Sequence, residues 1–338
     1  MEPETELQEA RTAWLEERRT GIGGSDAAAI LGLNPYATAL DVWLDKKGIK
    51  IPGRPGREFL WWGQALEAII RRRYEETSGI RLVKPEAILR HPQHDCLIAS
   101  PDGLAVDGTR GWEGKTANVR MAAQWGEPGT DEIPQAYLIQ CCHYMLVTQR
   151  GRWDVSALLG GSDFRTYAIH ADDDLLESIR QRLVEWWERF IVGNEEPEVD
   201  GSEMAARWLQ QKHPRHLQPL AVAPAEAIEW AARLAVARKM VKVGEEQRDI
   251  AENKLKTMIG DALGFDGTHW FVTWKAAKGR EVVNWKEMAE YLVNAAAKNV
   301  SSEHRDRVVA STLADLKKVF TATGPETRRF LFKSTEEK

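Results

Sequence analysis

The stretch from Ser100 to Lys115, SPDGLAVDGTRGWEGK, places three carboxylates and an amine within sixteen residues, and its reading decides the fold around it. Asp107-Gly108 is a hairpin-turn signal, since glycine adopts the positive φ that a tight turn demands. A turn there folds the flanking strands back on each other, so Asp102 at the end of one is expected to face Glu113 on the next. Residues i and i+2 of a strand share a side, which puts Lys115 beside Glu113. Two acids and an ammonium on one face suit metal-dependent phosphodiester cleavage. Mg²⁺ is hard, octahedral and reluctant to shed water, so one or two carboxylates and a backbone carbonyl, here that of Gly114, are typical ligands. Lys115 is then the group that orients the attacking water, or takes its proton if desolvation and metal charge lower its pKa. The D-x₁₀-E-x-K spacing is a short signal, and a charged exposed strand after an Asp-Gly turn accounts for the same residues.

The bulk numbers set the frame. A chain of 338 residues can bury a substantial core, and its length suits one large domain with an attachment, or two domains. Hydrophobic residues at 43% and charged residues at 29% exclude general disorder. No apolar run approaches a membrane span, and the polar start MEPETELQEA has no signal-peptide core, so a cytoplasmic protein is expected. Three cysteines, Cys96, Cys141 and Cys142, are too few for a disulfide framework or a four-cysteine iron–sulfur cluster, and read as buried thiols. The net charge of −5 argues against a chain that coats nucleic acid indiscriminately, and leaves room for a local basic channel.

Outward from the quoted stretch, the pattern alternates. Thr5 to Arg18 reads as a helix, followed by the loop Gly21-Ile22-Gly23-Gly24-Ser25-Asp26, whose Ser or Asp caps a helix through Leu31. Leu40 to Lys47 and the segment LWWGQALEAIIRRRYEETSG from Leu60 to Gly79 are helical. RLVKPEAILRH, CLIASPDGLAV and GWEGKTAN are consecutive short strands. IPQAYLIQCCHYMLVT is a buried helix, two more strands follow, and DDLLESIRQRLVEWWERFIVG closes the region as an amphipathic helix. The expectation is an α+β core of about 200 residues, a central mixed and mostly antiparallel sheet flanked by helices. The assignment is residues 1–200 as the core domain, 201–225 as a linker rich in Pro, Glu and Gln, and 226–338 as a C-terminal region. That region reads as a long charged, heptad-like helix or helical hairpin from Pro224, then a small hairpin of HWFVTW with REVV. Residues 222–338 hold 20 Lys+Arg against 17 Asp+Glu, a net of +3, while residues 1–221 hold 26 against 34, a net of −8.

Five ordered blocks give the short motif its context. WLEERRTGIGGSDAAAILGLNPYATALDVWLDKKG, WGQALEAIIRRRYEETSG, SPDGL, WEGKTAN and IPQAYLIQCCHYMLVT resemble, in the same order, the motifs of the YqaJ viral recombinase family. These are relatives of phage lambda exonuclease within the PD-(D/E)XK nucleases, and the resemblance spans about residues 11–200. It implies a restriction-endonuclease-like core and a catalytic set in which Asp102, Glu113 and Lys115 match the D…(E)XK pattern with Pro101-Asp102 kept. It implies that Glu67 is a helical acid at a second metal position and that Gln140 of Tyr137-x-x-Gln140 borders the active site. It also implies that Arg18, or its neighbour Arg19, binds the 5′ phosphate of a DNA end with Ser25, and that Ser100 touches the same phosphate. A loop at a helix start suits phosphate, and without a Gly-Lys-Ser/Thr ending this one is not a nucleotide P-loop.

The activity implied is a Mg²⁺-dependent 5′→3′ exonuclease, with Mn²⁺ able to substitute, that digests linear duplex DNA to leave 3′ single strands for recombination. A structure-specific or endonucleolytic nuclease, or a catalytically silent DNA-binding scaffold, remains open on the residues alone. The resemblance further implies a ring-shaped homotrimer and a single-strand-annealing partner in a bacterial cytoplasm. Arg71-Arg72-Arg73 reads equally as a solvated face or a DNA-backbone track. Trp61-Trp62 and Trp186-Trp187 read as core or interface residues, and His91, His94 and His143 lack a zinc pattern.

Overall fold

The computed structural model describes residues 12–51, 58–215, 222–277, 281–296, 319, 321–323 and 327–334. The chain divides between Pro219 and Leu220 into two units. Among the described residues no helix is long and apolar enough to cross a membrane.

The first unit begins with three short helices, α1 (12–19), α2 (Gly24–Ile30) and α3 (Ala39–Lys46). The first part of the expected Thr5–Arg18 helix lies outside the described residues. Helix α3 starts where the Thr38 side chain accepts from the Asp41 amide and Asp41 accepts from the Thr38 amide, a reciprocal capping box. Helix α4 (Glu58–Ser78) leads into β1 (Leu82–Val83), and Gly79 beyond its end has φ +72, which glycine takes without a Cβ penalty. The expected strands then appear as β2 (Leu89–Arg90), β3 (Ile98–Ala99), β4 (Gly103–Ala105) and β5 (Gly111–Ala117). After a 3₁₀ turn come α5 (Gln135–Thr148), β6 (Arg152–Leu159), β7 (Asp163–His170) and α6 (Asp173–Trp186), which runs on into a π-helical turn.

The sheet has the order β1-β4-β5-β6-β7. Strands β5 and β6 are parallel across the α5 crossover, and every other neighbouring pair is antiparallel, so the sheet is mixed as expected. Strand β6 is buried from Trp153 to Ala157, as a strand covered on both faces must be. Helix α5 is buried continuously from Ile139 to Val147 and forms the centre of the core with α2, α3 and β6. Each large side chain placed there, such as Met145 or Leu183, contributes on the order of 2 kcal/mol. Two glycines allow close approaches. A Cβ at Gly111 would lie 2.2 Å from the Trp153 ring, and one at Gly24 would lie 2.7 Å from Tyr144 and 2.9 Å from the Gln140 side chain.

The segment assigned as a linker is not wholly one: α7 (Glu203–Lys212) forms within it. Ser202 caps it by accepting from the Ala205 amide, Ala205 is buried, and Trp208 meets the Trp43 ring edge-on at 6.0 Å. The polar composition that suggested a linker marks only the outer face of this amphipathic helix.

The second unit contains one unbroken helix, α8 (Ala225–Ile259), rather than a helical hairpin. Strands β8 (Gly264–Asp266), β9 (Trp270–Ala277) and β10 (Glu281–Val283) follow, then α9 (Trp285–Ala296), β11 (Thr321–Thr323) and β12 (Thr327–Ser334). The expected hairpin between HWFVTW and REVV does not form. Strand β9 pairs over eight residues with β12 and on its other edge with β8, while β10 pairs with β11. An eight-pair ladder with a distant strand satisfies more backbone groups than a three-residue neighbour can.

Candidate active site

The β4–β5 register pairs Gly103 with Trp112 and Leu104 with Gly111. One step further, Asp102 stands opposite Glu113. The turn between the strands follows the sequence: Gly108 has φ +79, and Asp107 accepts from the Thr109 amide and hydroxyl. Asp107 is therefore occupied in the turn and takes no part in the site.

Asp102 Oδ2 accepts from the Gly114 amide at 3.0 Å, which fixes the acid against the next strand. Lys115 Nζ donates to Glu113 Oε1 at 2.7 Å and to Gln140 Oε1 at 2.9 Å. The Gln140 amide closes the ring by donating to Glu113 Oε1 at 2.7 Å, and also donates to the Tyr144 hydroxyl at 3.0 Å. Strand alternation, the hairpin register and the inward face of α5 thus bring Asp102, Glu113, Lys115 and Gln140 together. Trp112, pointing to the opposite face, is fully buried and donates to the Ser156 hydroxyl at 2.9 Å, so the strand cannot slip without losing this anchor.

Charge is concentrated there out of water. Glu113 is 4% exposed, and its second oxygen, Oε2, is buried with no hydrogen-bond partner. Burial, and then the Glu113 carboxylate, push the Asp102 carboxyl well above the usual range. Burial by itself would lower the Lys115 ammonium, but Glu113 and Asp102 outweigh it and raise its pKa. The lowering foreseen for Lys115 is thus reversed in the protein alone, because two carboxylates face it. The Lys115 ammonium also lies 4.7 Å from the centre of the Tyr137 ring.

Among the described residues, no group of three or more His, Cys, Asp or Glu side chains is arranged to hold a metal. Two carboxylates do converge, and a buried carboxylate oxygen without a donor is costly unless a cation completes it. Asp102, Glu113 and the adjoining strand backbone fit a hard divalent ion that keeps water and phosphate oxygens in its shell. Glu67 on α4 lines the same cleft and adds to the field that raises Asp102, but its carboxylate is paired with Lys84. The cleft has a volume of about 1280 Å³ and also receives Gly114, Arg18, Ser25 and the exposed ring of Trp61.

The remaining candidates separate cleanly. Arg18 donates to the Ser25 hydroxyl at 2.7 Å and faces Asp26 at 3.4 Å. Arg19 instead pairs with Asp45 at 3.7 Å. Arg18 is therefore the arginine that joins Ser25 at the cleft. The Gly23 amide is already taken by Asp26 at 3.0 Å, so that loop amide is not open to another acceptor. Ser100 is exposed and its carbonyl faces the Tyr144 hydroxyl at 3.4 Å, but it is not part of the cleft wall.

Several residues were not singled out from the sequence. Lys46 is fully buried, bonds Asp26 at 2.6 Å and donates to the Arg18 carbonyl at 3.0 Å. Burial would raise the Asp26 carboxyl, yet Lys46 and then Arg18 overcome it and hold it below its ordinary value. Tyr144 supports Gln140 one helical turn on, a spacing visible in Tyr137-x-x-Gln140-x₃-Tyr144 but silent about direction. Asp154 on β6 accepts from Tyr74 of α4 at 2.6 Å, from Arg152 at 2.7 Å and from Arg110 at 3.2 Å, fastening the Glu67 helix to the sheet.

The family described as YqaJ-like viral recombinase domain matches residues 13–151. The uncharacterized protein YqaJ of Bacillus subtilis (strain 168) is 32% identical over 264 residues, covering 77% of this chain and 82% of that protein. Two solved structures are more distant. An alkaline exonuclease (LHK-Exo) from Laribacter hongkongensis gives a TM-score of 0.41 at 18% identity, over 60% of this chain and 97% of that one. A phage related exonuclease from Haemophilus somnus 129PT gives 0.39 at 16% identity, over 52% and 96%. With the identity and coverage shared with the Bacillus protein, the chain belongs to the YqaJ-like viral recombinase family.

Proposed function

We propose that the chain is a Mg²⁺-dependent deoxyribonuclease that digests linear duplex DNA from its 5′ ends and leaves 3′ single strands for homologous recombination. The observation that carries this reading is the buried Asp102–Glu113 pair, with Glu113 Oε2 lacking a donor beside Lys115 and Gln140 in an open cleft. Membership of a viral recombinase family supports a recombination nuclease, and the 5′ polarity extends from the resemblance and from the Arg18–Ser25 pair in the same cleft.

In this reading Asp102, Glu113 and the Gly114 carbonyl hold the ion, and Glu67 adds a carboxylate from α4. When bound, the ion supplies positive charge that stabilises the attacking and leaving oxygens of an in-line displacement, and Mn²⁺ serves in its place. Lys115 orients the attacking water with its third N–H, the other two being committed to Glu113 and Gln140. Gln140 keeps the strand and α5 in register by accepting from Lys115 and donating to Glu113. Arg18 and Ser25 grip the terminal 5′ phosphate, Arg18 exchanging its hydroxyl contact for phosphate oxygens. Water attacks phosphorus, the P–O3′ bond breaks, and a 5′ mononucleotide leaves. A ring-shaped homotrimer around DNA would make successive cuts processive, and the 3′ strand would pass to an annealing recombinase.

The test is a time course on 5′-phosphorylated linear duplex, with 5′-hydroxyl and covalently closed circular controls, with Mg²⁺ or with chelator. The reading expects mononucleotide release from the linear substrate only, dependent on Mg²⁺ and faster with the 5′ phosphate. Cleavage of closed circles would move the assignment to an endonuclease, and no cleavage of any substrate would reject it.

A further inference from the structure

Helix α8 is exposed at every residue from Ala225 to Ala251. Helices of this length depend on tertiary packing of an apolar face, yet Trp230 is 58% exposed, Leu234 52% and Val241 62%. These three recur at the 4–3–4 spacing of a coiled-coil seam through Ala237, and the seam continues through Gly244, Arg248, Ala251 and Leu255. Met240 flanks it, and Val236, Val243 and Ile250 lie further round the helix on the same side; all four are exposed as well.

The charges say what covers this face. Residues 230–242 hold four cations, Arg233, Arg238, Lys239 and Lys242, and no acid. Residues 243–255 hold four acids, Glu245, Glu246, Asp249 and Glu252, against Arg248 and Lys254. A reversal about the point between Lys242 and Val243 lays the first set on the second. A parallel in-register pair would instead lay cation on cation and acid on acid. We infer that α8 pairs with α8 of a second copy of this chain as an antiparallel coiled coil centred between Lys242 and Val243.

The seam obeys the same centre, although it was read from different residues. Reversal about that point packs Trp230 against the partner copy's Leu255, Leu234 against Ala251, and Val241 against Gly244. Each layer sets a large side chain against a smaller or half-buried one. The remaining layer sets Arg248 against Ala237, where the small partner leaves the guanidinium a path to water. A single polar seam position of this kind fixes register at some cost in stability. Beside the seam, Arg238 of each copy meets Glu245 of the other, giving two symmetric ion pairs. The overlap of residues 230–255 is about 39 Å long at 1.5 Å per residue, which is enough for a stable two-helix contact. A basic helix reading DNA would not need the acidic second half.

The experiment uses the full chain and two charge variants, R238E/K239E and E245K/E246K. Sedimentation equilibrium measures self-association of each alone and of their equimolar mixture, and circular dichroism checks that helix content is kept. The wild type should show a dimerisation step through α8, separate from any ring that the nuclease units form, and each variant alone should weaken that step by about tenfold or more, because acid then faces acid or cation faces cation. The mixture should recover the wild-type constant, since the acid introduced by Arg238→Glu meets the cation introduced by Glu245→Lys in the mixed pair. The milder R238E and E245R variants repeat the test if either double variant loses helix. A wild-type chain without that dimerisation step, variants that dimerise as well as wild type, or a mixture that fails to recover would each overturn the inference and leave α8 for a different occupant.

Discussion

Glu113 has one oxygen crowded with donors and one with none, and that asymmetry is the chemical core of the site. A carboxyl whose pKa is raised by folding costs stability at every pH where it is ionised. The sign follows from linkage: the unfolded Asp102 ionises near its ordinary value, the folded one resists, so stability falls as pH rises through that window. Asp102→Asn should therefore raise the melting temperature at neutral pH in the absence of divalent ions, while lowering DNA hydrolysis by at least about 10²-fold. Thermal melts and a nuclease assay on the same preparation check both halves, and a variant that loses stability along with activity would contradict the cost assigned to the ionised Asp102. Arg18→Ala should cut the preference for 5′-phosphorylated over 5′-hydroxyl ends, whereas Arg19→Ala should leave it unchanged because Arg19 faces Asp45. Competition between the two substrates measures this. The hairpin residues were legible because Asp107-Gly108 fixes the turn and alternation does the rest. Lys46 and Lys84 were not, since their partners Asp26 and Glu67 come from other elements and no local pattern pairs them.

At the level of elements, the site depends on α2 and α5 lying close enough to share Gln140 and Tyr144. Gly24 makes that possible, since a Cβ there would press on both side chains. Gly24→Val should cost about 1–3 kcal/mol in chemical denaturation and depress turnover even at saturating metal, because the α5 face that holds Lys115 must shift. Helix α5 carries a second dependence. His143 is fully buried, its Nε2–H donates to the Ile98 carbonyl at 2.9 Å, and its Nδ1 has no partner. Burial lowers its pKa to about 4. The folded state thus refuses a proton that the unfolded chain accepts below its ordinary value near 6.5, so stability is lost as pH falls through that window. The loss should reach about 2 kcal/mol at pH 5, and His143→Gln should flatten this part of the denaturation profile. An unchanged slope would place the acid sensitivity elsewhere. The helices and short strands were readable from periodicity and turn residues. The β9–β12 ladder was not, because more than 40 residues separate its strands and local pattern favours the nearer β10.

Across the whole molecule, an acidic first unit of net charge −8 houses the cleft around Asp102 and Glu113, while a second unit of +3 carries the long helix. The point of division between Pro219 and Leu220 lies within residues 201–225. What composition missed was α7, whose polar exterior hides Ala205 and Trp208 against the core. The central claim is that Asp102 and Glu113 together form one divalent-ion site. Titration of Mn²⁺ into the full-length protein, followed by electron paramagnetic resonance of the free ion, tests it without relying on turnover. The account predicts a bound ion in the wild type that is lost in both Asp102→Asn and Glu113→Gln. Undiminished binding in either variant would contradict it.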